Sequence, residues 1–207
     1  MASFSSPVYR QLQRQSQDVG ELFAFADLSP FAHLSATTDG HADVVTAELV
    51  SGNFFQSMGV RTALGRPIEP SDDSSPGSGA VAIISDAFWQ RRFSRSPSVI
   101  GKTIDVNLTP ITIVGVAPPG FTGASHVQTP QDLFMPISIQ PVIFPREKGS
   151  LLSDPDTWWL QIMLRLKPGV TRENALATLA VSLDQAVRAT MVIAKDRIQP
   201  VPALRHE

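Results

Sequence analysis

The chain carries four histidines, His33, His41, His126 and His206, and no cysteine. A zinc-type site built from them would need two imidazoles on one helical face, at i, i+3 or i, i+4, and no spacing provides that. His33 and His41 flank Asp39-Gly40 and could meet across a hairpin, but two separate surface imidazoles are the plainer reading. Asp72-Asp73 offers two carboxylates, the raw material of acid–base chemistry. Adjacent residues diverge in a strand and are solvated in a loop, whereas such chemistry needs facing carboxylates in contrasting environments. Gly101-Lys102-Thr103 imitates the end of a phosphate loop, yet Ser96 stands where the earlier glycine belongs and the strand follows the motif instead of preceding it. We read it as a turn. Pro76-Gly77-Ser78-Gly79 is flanked by Ser75 and Ala80, so it lacks the pattern of a nucleophile elbow. No catalytic residue, cofactor site or metal site is assigned.

Two features suit contact better than catalysis. Trp158-Trp159 could stack on a sugar, but neighbours in a strand point to opposite faces, which makes one tryptophan core and the other rim. Arg91-Arg92, with Arg95, forms a basic face on a short aromatic helix, where solvation is the plain reading and an acidic partner or lipid headgroups the sharper one. Trp158, Trp159, Arg91 and Arg92 are the candidate partner interface.

The elements that must position these residues are short. Of 207 residues, 43% are hydrophobic and 17 are proline, enough apolar surface for a compact fold and enough breakers to favour strands and fixed turns over long helices. The formal charge of −2 gives no long-range positive field, so nucleic acid is not an expected partner. No window offers the roughly 18 to 20 unbroken apolar residues of a membrane-spanning helix, and Met1-Ala2-Ser3 opens without the basic and apolar regions of a signal peptide.

Ser6-Pro7 begins a helix running to about Gln17, with Val8 and Leu12 on its apolar edge. Leu22 to Leu28 and Phe31 to Val50 follow as strand material, the latter folded at Asp39-Gly40 into two antiparallel strands. Ser51 to Gly59 reads as one helical segment with a capping serine and a glycine stop. Arg61 to Gly79 is loop-like. Ala80 to Ile84 is a buried-type strand, and Ser85 caps a helix to about Ser94 edged by Phe88, Trp89 and Phe93. Lys102 to Leu108 and Ile111 to Val116 form a second hairpin turning at Thr109-Pro110, with Ile104, Val106 and Leu108 on one face. Leu133 to Ile139 reads as an edge strand because Pro136 cannot donate to a ladder. Gln140 to Pro155 is a second breaker-rich stretch. Trp158 to Leu166 is a strand leading into a helix capped by Thr171, whose stripe is Leu176, Leu179, Ala180, Leu183 and Val187. A last strand is expected from Arg197 to about Leu204.

One set of residues carries more than composition. Val50-Ser51-Gly52-Asn53-Phe54-Phe55, Met58-Gly59-Val60, Leu64-Gly65-Arg66-Pro67, Trp89-Gln90-Arg91-Arg92-Phe93, Val99-Ile100-Gly101-Lys102 and Ile113-Val114-Gly115-Val116-Ala117-Pro118-Pro119-Gly120-Phe121 occur in order. Leu133-Phe134-Met135-Pro136 and Leu164-Arg165-Leu166-Lys167-Pro168-Gly169-Val170 continue the series. Together, from about Ser5 to Leu204, they resemble the MacB-like periplasmic core domain of ABC transporter permeases of the MacB and FtsX kind, with wording similar to large acidobacterial permeases.

The resemblance implies an α+β fold of two lobes. A porter-like α/β sandwich lobe would comprise 1–60 and 157–207, and an inserted strand-rich, sabre-like lobe with a covering helix would comprise 61–156. The family's opening strand is not seen before Ser3. The resemblance further implies a non-enzymatic domain on the periplasmic side of the bacterial inner membrane. It would pass ATP-driven motion to a partner or substrate. Its partners would be the permease's membrane helices, its ATPase and a periplasmic adaptor, with the isolated domain a monomer and the intact transporter a dimer. The alternative is a stand-alone ligand-binding or sensor module for carbohydrate or lipid.

Overall fold

The computed structural model describes residues 3–29, 34–124, 130–144 and 150–197, with side chains described to residue 189. The strands are β1 (Gly20–Asp27), β2 (Leu34–Thr38), β3 (His41–Val45), β4 (Ala47–Val50), β5 (Leu64–Gly65), β6 (Val81–Ile84), β7 (Thr103–Val106), β8 (Thr109–Val116), β9 (Leu133–Pro136) and β10 (Gln161–Leu166). The helices are α1 (Ser6–Gln15), α2 (Phe54–Met58), α3 (Asp86–Phe93), α4 (Gln140–Ile143) and α5 (Arg172–Arg197). This is a mixed α+β fold.

Local chemistry explains most of the boundaries. Asp39 and Gly40 both take positive φ, 49° and 78°, and close the β2–β3 hairpin, since a turn of that twist needs two residues tolerant of the left-handed region. Gly59 ends α2 in the same region at φ 72°. The Ser85 hydroxyl accepts the Phe88 N–H at the start of α3, and Thr171 does the same for Asn174 at the start of α5, each satisfying an otherwise orphaned helix donor.

The strands form one sheet in the order β10-β1-β4-β9-β6-β8-β7-β2-β3, with β5 attached to β8. The β4–β9 and β6–β8 ladders are parallel and the others antiparallel. Only Thr46 separates β3, at one end of this path, from β4 in its interior. The path from β4 to β3 therefore returns to its own chain segment. The strands around this loop all send alternate residues into one core: Leu34 and Ala36, Val45, Leu49, Ile84, Ile104 and Val106, Ile111 and Ile113, Leu133 and Met135. Opposite parity supplies a second core on the other face, where Phe23, Phe25, Ile83 and Phe134 meet Phe54 and Phe55 of α2. Rings there pack edge to face, Phe55 against Phe134 at 5.7 Å and 86°, and each buried ring contributes about 1.5–3 kcal/mol.

Several expectations need correction. The β7–β8 turn lies at Asn107-Leu108, with φ 48° and 67°, and Pro110 sits inside β8 opposite Asp105. Leu108 is 94% exposed, away from the face of Ile104 and Val106. β9 is no edge: it lies between β4 and β6 and is buried throughout. Pro136 is tolerated there because it is the last residue of the strand. Phe31 to Val50 yields the β2–β3 hairpin and also β4, because Thr46 breaks the run. Ser51 caps no helix; its hydroxyl accepts from Ala24 N and donates to Asn53. Ser5, not Ser6, is the N-cap of α1, although it makes no side-chain capping bond. On α5 the buried line is Ala175, Ser182 and Ala186, flanked by Leu179, Leu183 and Val187, while Leu176 and Ala180 face outward. α5 extends to Arg197; the rest of the expected last strand lies outside the described residues.

Candidate functional site

Trp158 and Trp159 precede β10 and divide as core and rim. Trp159 is buried, and Trp158 is 51% exposed. Trp158 stacks on Phe4 with ring centroids 6.0 Å apart and planes at 18°, so one of its faces is already covered. Phe4 is fixed by a backbone pair with Leu160, at 2.7 and 2.9 Å.

The arginines of α3 have internal partners. Arg91 donates to Asp132 at 3.0 Å and lies over the Phe88 ring. Arg92 pairs with Asp43 of β3 at 2.7 Å and donates to the His41 carbonyl, while Arg95 pairs with Asp86 at 2.6 Å. Arg92 thereby ties α3 to β3, the strand that ends the sheet path. No hydrogen bond, ion pair or ring contact joins the two tryptophans to Arg91 or Arg92 among the described residues.

The other sequence candidates have structural settings. His41 is exposed and its ring sits 3.2 Å from the Asp39 carbonyl; His33, His126 and His206 lie outside the described residues. Gly101, at φ 84°, turns the chain into β7, and the Lys102 ammonium lies over the Phe93 ring. The Ser78 hydroxyl donates to Ser75 O at 2.6 Å within a closed turn.

Asp72 and Asp73 sit in contrasting environments but diverge. Both Asp72 oxygens accept from Arg66, at 2.6 and 2.9 Å, and Glu69 N adds a third bond. These bonds hold its carboxyl below the usual aspartate range, the Arg66 contact being the main cause. Asp73 turns inward, accepting Ser138 N at 2.8 Å and Gly52 N at 3.1 Å. Burial pushes its carboxyl upward against those two bonds.

Asp73 also lines a cleft of about 390 Å³ between α1, the Ser51-Gly52-Asn53 turn and the 3₁₀ turn Pro70–Asp73. Tyr9, Arg10 and Ser6 supply the α1 wall. Sequence reading missed this cleft: Arg10 and Asp73 are far apart in the chain and share no motif. Only the Gly52 constraint hints at it, because a Cβ there would lie 2.6 Å from Pro70 Cα.

The MacB-like periplasmic core domain family matches residues 2–180. The chain belongs to that family. The periplasmic region of MacB from Actinobacillus actinomycetemcomitans shares the fold at a TM-score of 0.66 and 14% identity, covering 97% of this chain and 86% of that one. The extracellular domain of the noncanonic ABC-type transporter YknZ from Gram-positive bacteria gives 0.63 at 16% identity, covering 88% and 83%. A domain of a Porphyromonas gingivalis protein described as a permease gives 0.58 at 19%, covering 99% and 75%. No curated protein matches the chain. A MacB-like periplasmic core domain belongs to an ABC transporter permease and stands on the extracytoplasmic side of the inner membrane. No described helix is long and apolar enough to cross a membrane.

Proposed function

We propose that this domain is a moving part of its permease, displaced by ATP-driven rearrangement and acting on a periplasmic adaptor or on the transported substrate. The family match over residues 2–180 carries this reading. A mechanical task asks for packed bodies with distinct relative positions and not for an acid and a base. We take the bodies to be the porter-like lobe, 1–60 with 157–207, and the inserted lobe, 61–156. On that division they meet along the four-residue β4–β9 ladder and the two-residue β2–β7 ladder and share both hydrophobic cores, so their relative motion is a small bend and not a separation.

The neighbour-facing surface in this reading includes Trp158, whose outer face is free, and Arg91, which is half exposed beside Asp132. Arg92 is mostly covered and can reach a neighbour only by giving up Asp43. Trp159 is part of the buried core and offers a neighbour no surface.

The chain lacks cysteine, so paired labels introduced into this domain meet no competing thiol there, and the test uses an intact permease with any cysteines elsewhere replaced. With Leu108→Cys and Leu176→Cys, one exposed position on each proposed lobe, spin-label distances should differ between nucleotide-free and ATP-trapped transporter. Identical distance distributions in the two states would rule out movement of one proposed lobe against the other. In the same permease Trp158→Ala should lower transport while Trp158→Phe preserves it; unchanged transport in both removes Trp158 from the surface.

A further inference from the structure

Asp73 and Arg10 line the same cleft with opposite charges, yet neither is used in an ion pair among the described residues. Four arginines of the 66–95 segment are in ion pairs: Arg66 with Asp72, Arg91 with Asp132, Arg92 with Asp43 and Arg95 with Asp86.

The carboxylate of Asp73 is held, not mobile. Ser138 N binds Oδ1 and Gly52 N binds Oδ2, which fixes its plane and leaves acceptor capacity on each oxygen. Gly52 cannot carry a side chain against Pro70, so the turn that supplies one of these donors is pressed onto the 3₁₀ turn bearing the acceptor. On the facing wall the buried Tyr9 hydroxyl accepts from Gln13 Nε2 at 3.0 Å. The Ser6 hydroxyl, on the same wall, is fully buried and makes no hydrogen bond among the described residues. Arg10 is exposed beside them.

We propose that this cleft binds a small zwitterion of the free α-amino acid type, with its ammonium group on Asp73 and its carboxylate on Arg10. A lone cation would bring its charge toward Arg10, and a lone anion toward Asp73. A molecule carrying both charges meets complementary groups on each wall, through charge-assisted bonds stronger than neutral ones. The volume falls within the range of small-molecule sites, roughly 300–1,000 Å³. An occupant would bridge α1 to the Pro70–Asp73 turn. The site stands whether or not the domain moves within its permease.

Isothermal titration of the 207-residue chain with glycine and L-alanine tests it, with ethylammonium and acetate as single-charge controls. Both amino acids should bind with a Kd of about 1 mM or tighter, and each control at least about tenfold more weakly. Arg10→Gln alters an exposed residue and should weaken glycine binding about tenfold or more while leaving ethylammonium binding as tight as before or tighter, its repulsion from Arg10 being removed. Asp73→Asn, with its fold checked by circular dichroism, should abolish binding of glycine and ethylammonium alike. No measurable binding of either amino acid overturns the proposal. So does ethylammonium binding as tightly as glycine, or glycine binding indifferent to Arg10→Gln.

Discussion

Asp72 accepts both arms of the Arg66 guanidinium while Asp73 is turned onto backbone N–H groups, so the two carboxyls titrate away from the ordinary aspartate value in opposite directions. For Asp72 the folded chain holds its proton less tightly than the unfolded chain. Its stabilisation is present above the ordinary aspartate pKa and is lost as pH falls through the lowered value. The half-exposed Arg66 side chain limits that contribution to about 1 kcal/mol or less. For Asp73 the folded chain holds its proton more tightly, so its contribution is complete below the ordinary value and declines as pH rises through the raised one. Urea denaturation of wild type, Asp72→Asn and Asp73→Asn between acid and neutral pH checks the signs. The stability of wild type relative to Asp72→Asn should rise with pH, and relative to Asp73→Asn it should fall. Parallel curves for the two variants would show that the contrast between the neighbours is wrong. The sequence shows the two carboxylates side by side but not their divergence, which depends on Arg66 and on the amides of Gly52 and Ser138.

Where turn chemistry is local, the sequence discloses the element: Asp39-Gly40, Ser85 and Thr171 each act where their residue types indicate. The β7–β8 hairpin shows the opposite case. Thr109-Pro110 looks like a breaker, yet Pro110 lies within the paired part of β8 and the turn is made by Asn107 and Leu108. Asn107 tolerates the left-handed region and is anchored there, its side chain accepting Ser35 N and its own N–H donating to Ser35 O. Leu108 has no such excuse: it holds φ 67° while almost wholly exposed. Left-handed backbone costs a non-glycine residue roughly 1–2 kcal/mol. Leu108→Gly removes that strain and sacrifices no packing, although glycine's looser unfolded chain takes back part of the gain. The substitution should stabilise by about 1 kcal/mol, seen as a rise of about 2–4 °C in Tm for a domain of this size. A fall in Tm would mean that Leu108 packs on something that the exposed hairpin tip does not reveal.

The strand order is the feature least visible in the sequence, because apart from the two hairpins its ladders join residues distant in the chain. Nothing in Leu133-Phe134-Met135-Pro136 tells that these four residues lie between β4 and β6, and Pro136 points the reader toward an edge. Nothing in Asp43 announces a partner on α3. What the sequence does disclose is the family wording, and that wording falls on the joints of the fold. Ser51-Gly52-Asn53 knits β1, β4 and α2, and Phe54-Phe55 fills the second core. Leu133 to Pro136 spans both cores. A sheet whose interior strand β9 serves two ladders and both cores couples these parts energetically, since loss of β9 would expose both cores and open two ladders together. Such a molecule should unfold as one unit even though its proposed lobes move within the transporter, because bending a seam is less costly than separating it. The reporters are built in: Trp89 lies on α3, and Trp158 and Trp159 lie near β10 at the other end of the sheet order. In a Trp89→Phe variant and in a Trp158→Phe, Trp159→Phe variant, the fluorescence of the remaining tryptophans should change at the same urea concentration as the far-ultraviolet dichroism of that variant. Two separated midpoints would mean that the β4–β9 and β2–β7 ladders do not couple the chain-end strands to those of the insertion.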